Sequence, residues 1–322
     1  MEVIKYSSIG QYRNLVKDVQ YAYQEALPKL KMTGTVKVHG TNASVVICPD
    51  LSQYPQSRNN ILTIENDNAG FATWHHGKRS AFADLASAID SVCGIEQDDT
   101  IVIYGEWAGK GVQKGVAVSE VDKFFYVFGV KVIDIDGTDS WLDDYPSMKH
   151  GDDIIDARDI WTKEIVIDFG VPEKSQNELI DITMAVEAEC PVGKYFGVSG
   201  VGEGVVWEHI TDEGVRFSCK VKGEKHSSSK VKKLASVNVE KMNSIDAFVN
   251  YAVTENRLKQ GFLEVCNNEP DRGLLGKFIK WVSSDVAKEE SDTLSASGLT
   301  MKDVGGTLSK RARNWFFAQE SL

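Results

Sequence analysis

Apolar and polar positions change rhythm about two-thirds of the way along the chain. Before that point, β-branched and aromatic residues gather in short runs that predict strands at 35–38, 44–48, 61–64, 100–107, 124–134, 204–208 and 215–222. The run from Phe124 ends in Asp136-Gly137, a hairpin turn signal with more chain returning behind it. Helical spacing appears around 81–92 and 176–189. Strands with segregated helices and no regular βαβ alternation predict an α+β fold with largely antiparallel sheet.

After Lys233 the spacing becomes helical. Ile245, Phe248, Val249 and Ala252 form one stripe, and Leu274, Leu275, Phe278, Ile279 and Val282 another. Leu308, Ala312, Trp315 and Phe316 form a third, with breaks expected at 267–270 and at Gly305-Gly306. Two domains are therefore expected, at 1–234 and 241–322, the second small and all-helical. The basic, serine-containing stretch 225–233 would join them.

Composition narrows the class. At 42% hydrophobic and 26% charged, the chain reads as an ordinary soluble globular protein. It has no run of eighteen apolar residues, and its first residues lack an apolar core behind their charges, so neither a membrane span nor a secretory signal is expected. The expected location is the cytoplasm of the cell that makes it, and the expected state a monomer. Five cysteines (Cys48, Cys93, Cys190, Cys219, Cys266) lie far apart with no CxxC pair, which predicts free thiols and no zinc site. A net charge of −11 argues against indiscriminate coating of nucleic acid. Yet Arg216, Lys220, Lys222, Lys225, Lys230, Lys232 and Lys233 face only Glu224 within 216–233, a concentration that predicts a phosphate-handling surface.

The segment with most chemistry is Thr35-Val36-Lys37-Val38-His39-Gly40-Thr41-Asn42. Its KxxG form recurs at Lys31, Lys194, Lys220 and Lys302, so the pattern alone selects nothing. What sets Lys37 apart is a strand before it, a glycine turn behind it and a second strand after that. Such a setting would aim the amine into a cleft. A lysine nucleophile has a reference pKa near 10.4, so about one amine in a thousand is neutral at pH 7.5. Nearby cations or desolvation favour the neutral form. Lys220 and Lys222, alternate residues on one face of a strand, are the expected cations.

Further short motifs follow in order. They are Tyr104-Gly105-Glu106-Trp107-Ala108-Gly109, then 124–128, then Glu203-Gly204-Val205-Val206, then Lys220-Val221-Lys222. With Lys37-Val38-His39-Gly40 at their head, these resemble the five ordered motifs of the covalent nucleotidyltransferases: ATP-dependent DNA ligases, RNA ligases and mRNA capping enzymes. The likeness is greatest to the phage RNA ligase 2 group, through KxHGTN at 37–42, GEWAGKGVQKG at 105–115, the opening Lys5-Tyr6-Ser7-Ser8 and the stretch 220–227. It extends from Lys5 to about Lys230 and weakens in the helical part.

The resemblance implies an antiparallel-sheet nucleotidyltransferase domain, ATP-grasp-like, followed by the all-α domain. It implies ATP and Mg²⁺, with Mn²⁺ as a substitute, and RNA with 3′-hydroxyl and 5′-phosphate ends as partner. Lys37 would take AMP from ATP, pass it to the 5′-phosphate, and a 3′-hydroxyl would then expel it, as in RNA repair. Glu106 would accept a hydrogen bond from ribose, Phe128 would stack on adenine, and Glu203 would help hold the hydrated metal. Lys220 and Lys222 would contact the AMP phosphate, and Arg58 the reacting phosphate. Asn42 would meet the phosphates or the reacting ends, Tyr6 would lie near the adenosine, and Val36 and Val38 would offer backbone contacts to the base. Two departures stand out: Val36 and Gly129 occupy positions where the phage relatives often carry a glutamate and an aspartate. Selectivity for ATP over GTP is thus not secured by a named side chain.

Three decoys carry little. The glycines of 109–115 fit neither GxGxxG nor GxxxxGK[ST]. Asp134-Ile135-Asp136-Gly137 lacks calcium-loop spacing, and His75-His76 has no ligand partner at the right distance in sequence. The alternatives are a DNA ligase or capping enzyme on the same core, which would place a five-stranded OB barrel after the fifth motif, and a non-catalytic nucleotide- or RNA-binding protein.

Overall fold

Strand pairing sorts the first part of the chain into two sheets. The computed structural model describes residues 2–24, 26–223, 225 and 245–319. It divides into the units Met1–Val221 and Lys222–Leu322. Most of the stretch expected to join the domains, 226–233 with Lys230, Lys232 and Lys233, lies outside the described residues, as do 241–244.

The strands are β1 (Gly10–Gln11), β2 (Lys29–Lys37), β3 (Thr41–Ile47), β4 (Gln53–Ser57), β5 (Thr100–Ala108), β6 (Phe124–Ile133), β7 (Asp139–Trp141), β8 (Ile154–Asp156), β9 (Thr162–Asp168), β10 (Gly204–Ile210) and β11 (Arg216–Lys222). One sheet runs β1-β11-β10-β2-β9 and the other β4-β3-β5-β6-β7, with β8 beside β6. Of the strand pairs with a resolved register, β1–β11 and β6–β8 are parallel and the others antiparallel. This is the expected α+β class with largely antiparallel sheet.

Helices α2 (Phe71–His76) and α3 (Arg79–Cys93) cover one face of the second sheet. There Ala43, Val45, Ile47, Ile101, Ile103 and Phe125 pack with Phe71, Phe82, Leu85 and Ile89. The alternate residues Val46, Val102 and Tyr104 point the other way, onto Tyr6 and Tyr54. The first sheet has α1 (Tyr12–Tyr23) at its β1 edge, and α5 (Gln176–Ala188) packs on β10. Helices α4 (Ala157–Ile160) and α6 (Pro191–Tyr195) are single turns.

Six of the seven expected strands form. The seventh, 61–64, is only a bridge from Ile61 to Gln56. Beyond it the Thr63 hydroxyl accepts from the Asn66 amide at 3.1 Å, a local turn that competes with strand pairing. The unexpected β4 contains Pro55, which a sheet tolerates because β4 is the edge strand. The Asp136-Gly137 turn connects β6 to β7, with Gly137 at φ +83°.

Unit Lys222–Leu322 contains α7 (Ile245–Ala252), α8 (Glu255–Cys266), α9 (Leu275–Glu289), α10 (Ser291–Ala296) and α11 (Met301–Gln319). Among the described residues of 245–319 every element is helical, and the barrel of the rival reading has no counterpart there. The expected break at Gly305-Gly306 does not occur. Both glycines lie within α11, whose Val304, Leu308, Ala312 and Phe316 fall at four-residue spacing on one core face. That burial outweighs the roughly 1 kcal/mol each glycine costs in a helix. Arg257 is fully buried, with Nε 2.8 Å from Asp285 and Nη2 3.2 Å from Glu290. No helix among the described residues is long and apolar enough to cross a membrane. All five cysteines are free thiols.

Candidate active site

Lys37 is the last residue of β2 and pairs with Gly204, the first of β10. That register brings Glu203 beside it: Lys37 Nζ lies 2.6 Å from Glu203 Oε2. Glu203 is 3% exposed, and the chain leading to it is locked against the end of α5. Gly202 donates its N–H to the Glu187 carbonyl at 3.2 Å, and a Cβ on Gly202 would stand 2.4 Å from the Val186 carbonyl oxygen. His39 Nδ1 is 3.4 Å from the same Glu203 oxygen.

The turn after Lys37 crosses from one sheet to the other. Gly40 donates its N–H to Glu106 Oε1 at 3.1 Å, and a Cβ there would sit 2.3 Å from the Trp107 carbonyl oxygen. No larger residue can approach β5 so closely, which is the physical reason for glycine in this motif. Gln113 Nε2 donates to the Gly40 carbonyl at 3.3 Å from the loop behind β5. Burial pushes the Glu106 carboxyl up to about 6; the charge of Lys37 opposes this and that of Glu203 reinforces it. Lys37, His39, Gly40, Glu106 and Glu203 thus form one cluster between the sheets.

A second cluster lies on the same face of β5, around Tyr104. Tyr104 pairs with Gly129 and Gly105 with Val127, so Phe128 is the extra residue of a bulge in β6. Its half-buried ring lies 5.2 Å from the ring of Tyr6. Tyr6 is buried and packs on Tyr104 and Trp141 as well. A Cβ on Gly129 would meet the Trp141 ring at 2.9 Å, so indole fills the space an aspartate side chain would need.

Arg216 begins β11, and its guanidinium is bound to Glu208 through Nε at 2.8 Å and Nη2 at 2.7 Å. It is therefore not part of an exposed phosphate-binding surface, as the run of basic residues suggested. Its pairing does fix the orientation of β11: alternation places Lys220 and Lys222 on the Arg216 face, the one shared with Glu208 of β10. Glu208, Val206 and Gly204 alternate along β10, and Gly204 is paired with Lys37.

The remaining expected residues are spread around these clusters. Asn42 is half-buried and pairs with Glu106 across β3 and β5. Val36 and Val38 are buried, and strand alternation turns Val36 away from the Lys37 side. Arg58 follows β4, half-buried, and makes no ion pair among the described residues. Sequence reasoning passed over Trp141, Glu208 and Gln113, and treated Arg216 only as one basic residue among seven. The available signal was the two-residue phase of Arg216 with Lys220 and Lys222.

A buried carboxylate paired with a half-buried amine, with Glu106 close by, suits the handling of phosphate and a hard cation. Among the described residues no three His, Cys, Asp or Glu side chains gather into a metal cage. A Mg²⁺ ion held at Glu203 would then take its other ligands from phosphate oxygens and water, the usual habit of this ion.

The chain matches the family described as RNA ligase over residues 31–222, about 60% of its length. Its fold is also similar to solved structures of a Naegleria gruberi RNA ligase. A lysine-to-alanine variant of that ligase with ATP and Mn is 18% identical, covering 69% of this chain and 57% of the other at a TM-score of 0.43. The same ligase with PPi is 17% identical, covering 68% and 56% at a TM-score of 0.42. The chain thus spans a little over half of the length of those ligases.

Proposed function

This chain belongs to the RNA ligase family, and we propose that it joins a 5′-phosphate to a 3′-hydroxyl of RNA, using ATP through an AMP carried on Lys37. The observation that carries the reading is the placement of Lys37 Nζ against Glu203, one turn before Gly40 binds Glu106. It sets an amine nucleophile beside two carboxylates, on the strand–turn–strand that carries the KxHG motif.

In the first step the Lys37 nitrogen attacks the α-phosphorus of ATP. A nitrogen–phosphorus bond forms, the bond to the β-phosphate oxygen breaks, and pyrophosphate leaves. An oxygen of the RNA 5′-phosphate then attacks the same phosphorus and frees Lys37, leaving a 5′–5′ pyrophosphate linkage. The 3′-hydroxyl attacks the RNA phosphorus, and AMP departs. Positioning and charge neutralisation account for nearly all of this chemistry, so a Ser–His pair is not needed. Mg²⁺, when bound, would supply positive charge to the phosphates, and Glu203 would help hold it.

Glu106 accepts from the Gly40 N–H and offers its second oxygen to a ribose hydroxyl. Phe128 provides a flat ring for adenine. Lys220 and Lys222 supply charge for the AMP phosphate, and Arg58, free of a carboxylate partner among the described residues, remains available to the reacting phosphate. In the helical unit, the exposed Arg313 with Lys310 and Arg311 would contribute to phosphate and ribose contacts more than base contacts. A nicked RNA duplex tests the reading. Wild type with ATP and Mg²⁺ should seal it, and Lys37→Ala should seal only a nick whose 5′ end already carries AMP. Sealing of an ordinary 5′-phosphate nick by Lys37→Ala would contradict the role of Lys37.

A further inference from the structure

Phe128 sits at an irregularity in its strand. As the extra residue of a bulge it has no register partner on β5, and the direction of its ring depends on what lies against it. That neighbour is Tyr6, 5.2 Å between ring centroids with the planes tilted by 58°. Tyr6 belongs to a segment, residues 2–9, with neither strand nor helix, whose main chain is held at Ile4 by the side chains of Gln56 and Tyr104. Arg216 Nη1 donates to the Tyr6 hydroxyl at 2.6 Å, and the guanidinium carbon lies 5.2 Å from the Tyr6 ring centroid and 4.6 Å from that of Trp141. Glu208 holds the remaining guanidinium nitrogens from the neighbouring strand.

We propose that Tyr6 and Arg216 are a coupled pair of positioning residues that set the Phe128 ring as the base-stacking platform, without touching the nucleotide themselves. The inference rests on the reading of Phe128 as the adenine platform given above. Three features carry it. Tyr6 is only 5% exposed and its hydroxyl is directed at Arg216, so little of it is left to face a ligand. Arg216 is bound on several sides and starts the strand that carries Lys220 and Lys222, which links the base platform to the phosphate-facing lysines through one strand. Trp141 closes the back of the pair and fills the space beside Gly129, so the platform is built from rings where a carboxylate side chain is absent.

The test is a double-mutant cycle. Tyr6→Phe removes one hydroxyl and keeps the ring, so it is the variant least able to unfold the chain. Its KM for ATP in lysyl-adenylate formation should rise about fivefold, the net size of one ordinary hydrogen bond, with the maximal rate within about twofold. Arg216→Lys keeps the charge but loses the fork, and the double variant should be no worse than the worse single one. In a Phe128→Leu background, Tyr6→Phe should add almost nothing to the KM. An equal KM effect of Tyr6→Phe in both backgrounds, or a fall in maximal rate at constant KM, would overturn the proposal. The same cycle is read on ATP affinity by titration calorimetry. Absence of labelling in wild type would then count against the ligase reading alone, and the affinity cycle would still decide the role of Tyr6 and Arg216.

Discussion

Lys37 Nζ and Glu203 Oε2 lie 2.6 Å apart although 166 residues separate them in the chain. An anion therefore pairs directly with the proposed nucleophile. Glu203→Gln keeps the size and a hydrogen-bond acceptor but removes the charge that pairs with Lys37 and would attract a cation. Lysyl-adenylate formation should fall on the order of 100-fold, the usual effect of removing one preorganised electrostatic group. Single-turnover labelling with saturating ATP measures it, and a rate within a few-fold of wild type would remove Glu203 from the chemistry.

Gly40→Ala tests the crossing between the sheets. The added Cβ would stand 2.3 Å from the Trp107 carbonyl, so the turn must move and the bond to Glu106 lengthen. A cost of about 1–3 kcal/mol in stability is expected, together with a larger loss of adenylylation. Chemical denaturation and labelling on the same samples check both. Unchanged labelling would mean that the turn geometry is not needed for attack.

Glu106 gives a pH signature. Burial, opposed by Lys37, holds its carboxyl at about 6 against an ordinary value of 4.5. The folded state therefore favours the protonated form. The stability this contributes is complete below about pH 4.5 and is lost as pH rises through about 6. Glu106→Gln cannot titrate, so between pH 4.5 and 7 it should lack a fall in stability on the order of 1–2 kcal/mol that wild type shows. Urea titrations at both pH values compare the two proteins. Parallel pH dependence would place the Glu106 carboxyl in an ordinary environment.

In the helical unit, Arg257→Ala removes a fully buried guanidinium from between Asp285 and Glu290. A loss of about 3–5 kcal/mol is expected, seen as an early loss of helical circular dichroism in the full chain. A melt superimposable on wild type would show that the buried charges are not what holds α8 to α9.

The strands that carry the chemistry were legible because each is a run of β-branched and aromatic residues with a motif at or near one end: β2 ends at Lys37, β5 carries Glu106 two residues before its end, and β10 begins just after Glu203. Helices α7, α9 and α11 of the second unit were legible from their stripes, whereas α8 and α10 were not anticipated. What was hidden depends on context that no local pattern records. Pro55 reads as a strand breaker until β4 is seen to be an edge, and Gly305-Gly306 reads as a turn until Val304 and Leu308 are seen to bury together. Arg216 reads as one more cation until Glu208 and Tyr6 close around it, contacts that span 8 and 210 residues. The bulge at Phe128 was likewise invisible, since it exists only relative to Tyr104 and Gly105 on the facing strand.

A covalent AMP on Lys37 is revealed by label that survives denaturation. Protein first stripped of any bound AMP with pyrophosphate is incubated with Mg²⁺ and α-labelled ATP, denatured, and mapped by peptide mass. The account requires one AMP on the peptide containing Lys37, absent in Lys37→Ala and Lys37→Arg, and discharged by pyrophosphate. Label on another lysine, or none with either ATP or GTP, would contradict it.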